Sequence, residues 1–144
     1  MATETKLRQL ADKECPVYYF YSSERYLVRQ AVAAATRILT ADSDEDATVL
    51  DGAAPEIEQL IMAAGTISFF GTRRVVVLPE IDPAAYSDKD LEELNSTLSS
   101  LENAVVVLGS VFELERSKLK TGKRAQKLIA QCKALGYTEE LAKP

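Results

Sequence analysis

The chain contains no histidine and no tryptophan, and only two cysteines, Cys15 and Cys132, among its 144 residues. Without histidine the commonest general base and the commonest metal ligand are both missing, so hydrolytic triads and imidazole-ligated metal centres are excluded. Two cysteines far apart in sequence, outside any CxxC or Cys/His grouping, provide neither a zinc site nor a redox motif and read as reduced thiols. No apolar run approaches the roughly 20 residues that span a bilayer, and Met1 to Arg8 mixes both charge signs without an apolar signal core. These absences place the expected location in the cytoplasm and exclude a membrane partner. The chain also lacks a GxSxG elbow, an internal repeat and any low-complexity tract.

The composition that remains is that of one globular domain: 47% hydrophobic, 27% charged and a net charge of −5. That net charge argues against binding nucleic acid over the whole surface. Local basic residues, Arg116, Lys118, Lys120, Lys123 and Arg124, leave DNA contact open beside the plainer reading of a solvated face. The acidic cluster from Asp42 to Asp46 reads as a solvated loop.

Apolar periodicity alternates between strand and helix along the chain. Leu7, Leu10 and Ala11 mark a leading helix that Pro16 closes. Val17 to Tyr21 is aromatic and β-branched and reads as a central strand, followed by a helix with Leu27, Ala31, Ala34, Ala35 and Ile38 on one face and Ser22 or Ser23 as cap. Ala47 to Leu50 is a short second strand, and Pro55 opens a helix with an Ile57, Leu60, Ile61 and Ala64 stripe that Gly65 ends. Arg74 to Leu78 is a third strand. Ser87 with Asp90 resembles a capping box before the Leu91, Leu94, Leu98 and Leu101 stripe. Ala104 to Leu108 is a continuous apolar run, hence a strand covered on both faces. A last helix from Lys123 to Leu135 turns at Gly136 into an edge strand at Tyr137 and Thr138. The expectation is an α/β fold, three layers deep, with a mostly parallel five-stranded sheet and right-handed crossovers.

In such a fold the turn after the first strand is where phosphate binds, at a helix amino terminus. Here it reads Tyr21-Ser22-Ser23-Glu24-Arg25-Tyr26, without the glycines and lysine of GxxxxGK(S/T), and Glu24 brings negative charge toward a negative ligand. Gly122-Lys123 does not follow a strand directly and reads as a loop-to-helix junction. At the end of the third strand Pro79 stands where an ATPase would carry the first of its acidic pair, and Glu80 and Asp82 read as solvated carboxylates. The expectation is no nucleotide site, no metal, no catalytic residue and no cofactor.

The stretch from Thr66 to Leu78 sets two adjacent aromatics, Phe69 and Phe70, before Gly71, two arginines and a β-branched strand. Neighbouring side chains on a strand point to opposite faces, so one of the pair is free to look outward. Exposed, the pair is a docking point; buried, it plugs the end of the core.

Four stretches in order resemble the amino-terminal domain of the delta subunit of bacterial DNA polymerase III, the clamp-loader family. Val17 to Leu27 is similar to the family's opening strand and its Gly-x-Glu-x-Tyr-Leu turn, with Ser22 for the glycine. Val49-Leu50-Asp51-Gly52 resembles the second strand. Ser68 to Val77 resembles the Leu-Phe-Gly-x-x-Arg-hydrophobic signature, with Phe69 for the leucine, and Val105 to Leu108 with Arg116 to Leu119 resembles the fourth strand and its basic sequel. The resemblance implies an AAA+-like, P-loop NTPase-type fold with the nucleotide site lost, over residues 1–144 as a single domain, in a piece that stops short of the helical lid and collar domains. It implies a non-catalytic subunit of a DNA-directed DNA polymerase holoenzyme, acting in DNA replication, whose tip inserts into the sliding clamp (beta subunit) and favours the opened ring. Ser68, Phe69, Phe70 and Gly71 would be the clamp-binding residues, with Ile67, Arg73 and Arg74 as a supporting rim. The partners implied are the clamp and the other clamp-loader subunits, which use the ATP, with DNA contacted indirectly or weakly. Two other readings fit the same pattern of elements: an atypical nucleotide-dependent enzyme, and a doubly wound regulatory scaffold.

Overall fold

The computed structural model describes residues 4–41, 45–65 and 73–142. Its centre is a five-stranded sheet in which all pairings are parallel, in the order β2-β3-β4-β1-β7. The strands are β1 (Val17–Ser22), β2 (Thr48–Val49), β3 (Arg74–Leu78), β4 (Ala104–Val111) and, at the far edge, β7 (Tyr137–Glu140). A separate antiparallel hairpin is made by β5 (Glu113–Glu115) and β6 (Lys118–Lys120). The helices are α1 (Glu4–Asp12), α2 (Arg25–Thr40), α3 (Ile57–Gly65), α4 (Asp88–Ser99) and α5 (Gly122–Leu135).

Handedness explains the layers. From β1 the chain crosses to β2 at one edge, then steps back through β3 and β4 and on to β7 at the other edge. Right-handed crossovers made in opposite directions must leave their helices on opposite faces. Accordingly α1 and α2 cover one face, where Leu7, Leu27, Val28, Ala31 and Val32 pack on Tyr18, Phe20, Val75, Val77, Val105 and Val107. Helices α3 to α5 cover the other, with Leu60, Leu94, Leu98, Leu128 and Cys132 against Tyr19, Val76, Leu78, Val106 and Leu108. With both faces covered, strand side chains need no apolar/polar alternation, and the adjacent Tyr18, Tyr19 and Phe20 are all at most 1% exposed. Each such side chain contributes about 2–3 kcal/mol of burial.

The architecture expected from the sequence is present, with local differences. Strand β4 runs three residues past Leu108, because Gly109 and Ser110 remain paired to β1. Helix α2 is capped at Glu24 rather than at a serine: Ser22 Oγ accepts the Glu24 N–H at 3.1 Å but donates its own proton across to the Leu141 carbonyl. Ser87 does cap α4, its Oγ accepting the Asp90 N–H. Ile61, expected inward on α3, is 51% exposed; the helix is nine residues long and buries only Ile57 and Leu60. The hairpin was not expected. Arg116 and Ser117 form its two-residue loop with φ of 52° and 69°, the left-handed pair that matches the twist of a hairpin.

Candidate functional site

A parallel sheet has two chemically different ends. Ligands of doubly wound folds sit at the carboxyl end, where adjacent strands send their connections in opposite directions. Here that point lies between β1 and β4, since β1 leads to β2 and β4 leads to β7. The residues around it are tied to one another. The Ser22 carbonyl accepts the Phe112 N–H, and the Tyr21 carbonyl accepts the Leu141 N–H, so the end of β1 is sewn to both neighbours. Ser110 Oγ donates to the Ile81 carbonyl at 2.8 Å. A hydroxyl has one proton, so the 2.7 Å contact between Tyr19 and Ser110 is a bond that Tyr19 donates. The relay Tyr19 to Ser110 to Ile81 joins β1, β4 and the turn after β3, which a further bond from Ile81 N–H to the Gly109 carbonyl reinforces. Burial pushes the Tyr19 phenol well above its ordinary pKa.

Gly109 makes this closure sterically feasible. A Cβ there would lie 2.3 Å from the Pro79 carbonyl oxygen and 2.8 Å from Val28 Cγ1. Above it, Arg25 Nε, in the first turn of α2, pairs with Glu80 Oε1 at 2.8 Å. The ion pair therefore reaches from the helix terminus beside β1 to the turn after β3, with the end of β4 between them. Glu24 and Arg25 occupy the place where a phosphate-binding fold presents backbone N–H groups and a lysine. Among the described residues no group of three or more His, Cys, Asp or Glu side chains could hold a metal ion. The Arg25–Glu80 pair and the Ser110 relay were missed by sequence reasoning; the one visible signal was a polar Ser110 at the end of an apolar run.

The amino end of the sheet is different. Phe69 and Phe70, with Ile67, Ser68 and Gly71, lie outside the described residues. In the chain they are preceded by Gly65, which ends α3, and followed by Arg73 at the amino end of β3. That is the edge opposite the switch point. On α3 Ile61 is 51% and Met62 73% exposed. Beside them a groove of about 450 Å³ runs between α3 and α4, lined by Ile61, Ala64, Gly65, Thr97, Leu101 and Asn103 among others.

The two arginines read from the sequence are both anchored. Arg74 Nη1 binds Glu45 Oε2 at 2.9 Å, both side chains being largely buried, and its N–H bonds the Asn103 carbonyl. Glu45, read as part of a solvated loop, is thus an internal partner. Arg73 Nη2 donates to the Ala104 carbonyl at 3.3 Å. The basic segment is also partly neutralised: Lys120 stands opposite Glu113 and Lys118 opposite Glu115 in the hairpin. Arg124 Nε binds Asp88 Oδ1 at 2.9 Å.

Comparison with known proteins gives one kind of likeness. No family model matches the chain. No curated protein matches it either. Among solved structures, the chain is similar to a DNA polymerase III gamma subunit-related protein from Thermotoga maritima, with a TM-score of 0.67 at 15% identity over 99% of this chain. The chain spans 47% of the length of that protein. At this identity the likeness shows the fold, and the three-layer α/β/α architecture with a five-stranded parallel sheet expected from the sequence is borne out.

Proposed function

We propose that this chain is a clamp-loader-like module of DNA replication, of the delta type, which binds a sliding clamp through Phe69 and Phe70 and does not use ATP itself. The observation that carries this reading is the sequence of residues 66–72, in which the aromatic pair Phe69-Phe70 precedes Gly71. In the chain they fall between Gly65, which ends α3, and Arg73, which precedes β3. Support comes also from the fold shared with a DNA polymerase III gamma subunit-related protein, which suggests other clamp-loader subunits as partners. Ser68, Phe69, Phe70 and Gly71 form the tip, and Ile67, Arg73 and Arg74 support its base. A small aromatic projection entering an apolar pocket is the usual form of an interface hot spot. The burial of two phenylalanines contributes about 3–6 kcal/mol before association costs. Ring opening then follows only to the extent that the tip binds the open clamp better than the closed one. DNA contact is indirect or weak, and the module works in the cytoplasm.

The Arg25–Glu80 pair favours a non-catalytic reading, because an internal cation already neutralises the carboxylate nearest the place for magnesium and phosphate. The test is capture of the cognate sliding clamp by the chain and by a Phe69→Ala/Phe70→Ala variant, with calorimetric titration of ATP and magnesium alongside. Loss of capture in a folded variant, with no heat of nucleotide binding, is expected. Equal capture by both proteins sinks the site, and micromolar ATP binding restores the alternative of a nucleotide-dependent enzyme.

A further inference from the structure

The β5–β6 hairpin stands off the domain and leaves a cleft behind it. Leu114 lies opposite Leu119 in the ladder, while Glu113, Glu115, Lys118 and Lys120 occupy the alternate positions. Successive strand residues face opposite ways, so the hairpin has one apolar face and one charged face. A two-stranded ribbon needs another surface to cover its apolar face. Here the cover is incomplete, since Leu119 is half-buried and Leu114 is 58% exposed. Both line a cleft of about 610 Å³ between the hairpin, the carboxyl ends of β1 and β7, and α5. Tyr21 and Ile129, each half-buried, extend its apolar wall.

The charge of the lining is negative in balance. Glu24, the N-cap of α2, and Glu140, the last residue of β7, both line the cleft. Among the described residues neither carboxylate has an ion-pair partner, although Glu24 is half-buried. The field of Glu140 is felt inside: with burial first, it raises the Tyr21 phenol above its ordinary pKa. The one cation of the lining, Lys118, stands opposite Glu115 on the charged face of the hairpin. An anionic ligand is therefore disfavoured, and a wholly apolar one leaves both carboxylates unpaired. A lysine or arginine side chain satisfies both features, because its methylene stem packs on apolar surface while its charged head pairs with carboxylate. We propose that this cleft is a docking site for a basic side chain of a partner polypeptide, with the stem against Tyr21, Leu119 and Ile129 and the cation at Glu24 and Glu140. Exposed Leu114 gives the flanking residues of a polypeptide an apolar contact that a free amine does not use. The site does not rest on the role of residues 66–72.

The test is titration of the whole 15N-labelled chain with two capped peptides, N-acetyl-Ala-Lys-Ala-amide and N-acetyl-Ala-Arg-Ala-amide. The controls, at matched ionic strength, are the same peptide with norleucine at its centre, putrescine and inorganic phosphate. Saturable shifts of the Ser23, Leu119 and Glu140 backbone amides with a basic peptide are expected, the tighter of the two identifying the side chain. Glu140→Gln, at an exposed position, should weaken binding about threefold, and Glu24→Gln/Glu140→Gln about tenfold. Lys118→Ala removes a competing cation and should bind at least as tightly as the parent. Absence of a saturable shift with both basic peptides, an equal response to the norleucine peptide or to phosphate, or undiminished affinity in Glu140→Gln overturns the proposal. Tighter binding of putrescine than of either peptide overturns the polypeptide as occupant, and weaker binding by Lys118→Ala overturns the assigned sign of charge.

Discussion

Removal of the Ser110 hydroxyl tests how the carboxyl end of the sheet is held. Ser110 and Tyr19 are both 0% exposed, so Ser110→Ala strands two groups at once. The Tyr19 phenol loses its 2.7 Å acceptor and the Ile81 carbonyl its 2.8 Å donor. Each orphaned buried group costs about 1–3 kcal/mol, so the substitution, which strands two, is expected to destabilise the fold by about 2–6 kcal/mol. Tyr19→Phe removes the same first bond from the other side but leaves Ser110 still donating to Ile81, and should cost about 1 kcal/mol. The direction of the relay thus predicts an asymmetry. The double variant strands only the Ile81 carbonyl, so its cost should fall short of the sum of the two single costs. Urea unfolding at pH 7 reads all three as shifts of the midpoint at constant slope. If Tyr19→Phe costs more than Ser110→Ala, or the two costs add, the assigned direction of the relay is wrong.

Other expectations follow from single contacts. Gly109→Ala forces a Cβ to within 2.3 Å of the Pro79 carbonyl, and should lower stability by about 1–3 kcal/mol on thermal unfolding. Arg25→Ala removes a pair whose members are 57% and 39% exposed, and its cost by the same measurement should stay below about 1 kcal/mol. Alkali should weaken the fold. Burial raises the Cys132 thiol from 9.0 to about 12 and the Tyr86 phenol, burial first and Asp90 second, from 10.0 to about 12. A folded pKa above the unfolded one means that the contribution is whole below pH 9 and is lost between 9 and 12. For Cys132 the loss by pH 12 is on the order of 4 kcal/mol. Cys132→Val should flatten the fall of urea midpoint with pH, and an unchanged slope would show that the thiol does not titrate from a buried state.

The parallel fold was legible because both faces of the sheet are covered, which turns β1, β3 and β4 into unbroken apolar runs that the eye can count. What failed to show in the sequence was set by contacts between distant segments. Ser22 lies beside a helix start and has a capping side chain, yet its proton goes to the Leu141 carbonyl at 2.7 Å, 119 residues away, where no local rule reaches. Ile61 fits the α3 stripe by spacing, but a nine-residue helix at the margin of the sheet buries only two of its residues. The hairpin was hidden by its charges: Lys118 and Lys120 read as part of a solvated basic face, whereas antiparallel pairing sets them opposite Glu115 and Glu113.

The candidate site read from the sequence, Phe69 and Phe70, lies outside the described residues. An aromatic pair before Gly71 says that something bulky and apolar lies near a strand, without saying at which end of a sheet. Because β3 runs parallel to β1 and β4, its amino end is the end opposite the Arg25–Glu80 pair. The two ends differ in what they leave available. The carboxyl end spends its polar groups on one another, through Ser22, Ser110, Arg25 and Glu80. The α3 side leaves Ile61 51% exposed beside an open groove. Exposed apolar surface costs free energy in the isolated chain and recovers it only when covered, so Ile61, 51% exposed beside the α3–α4 groove, is apolar surface that the described residues leave uncovered.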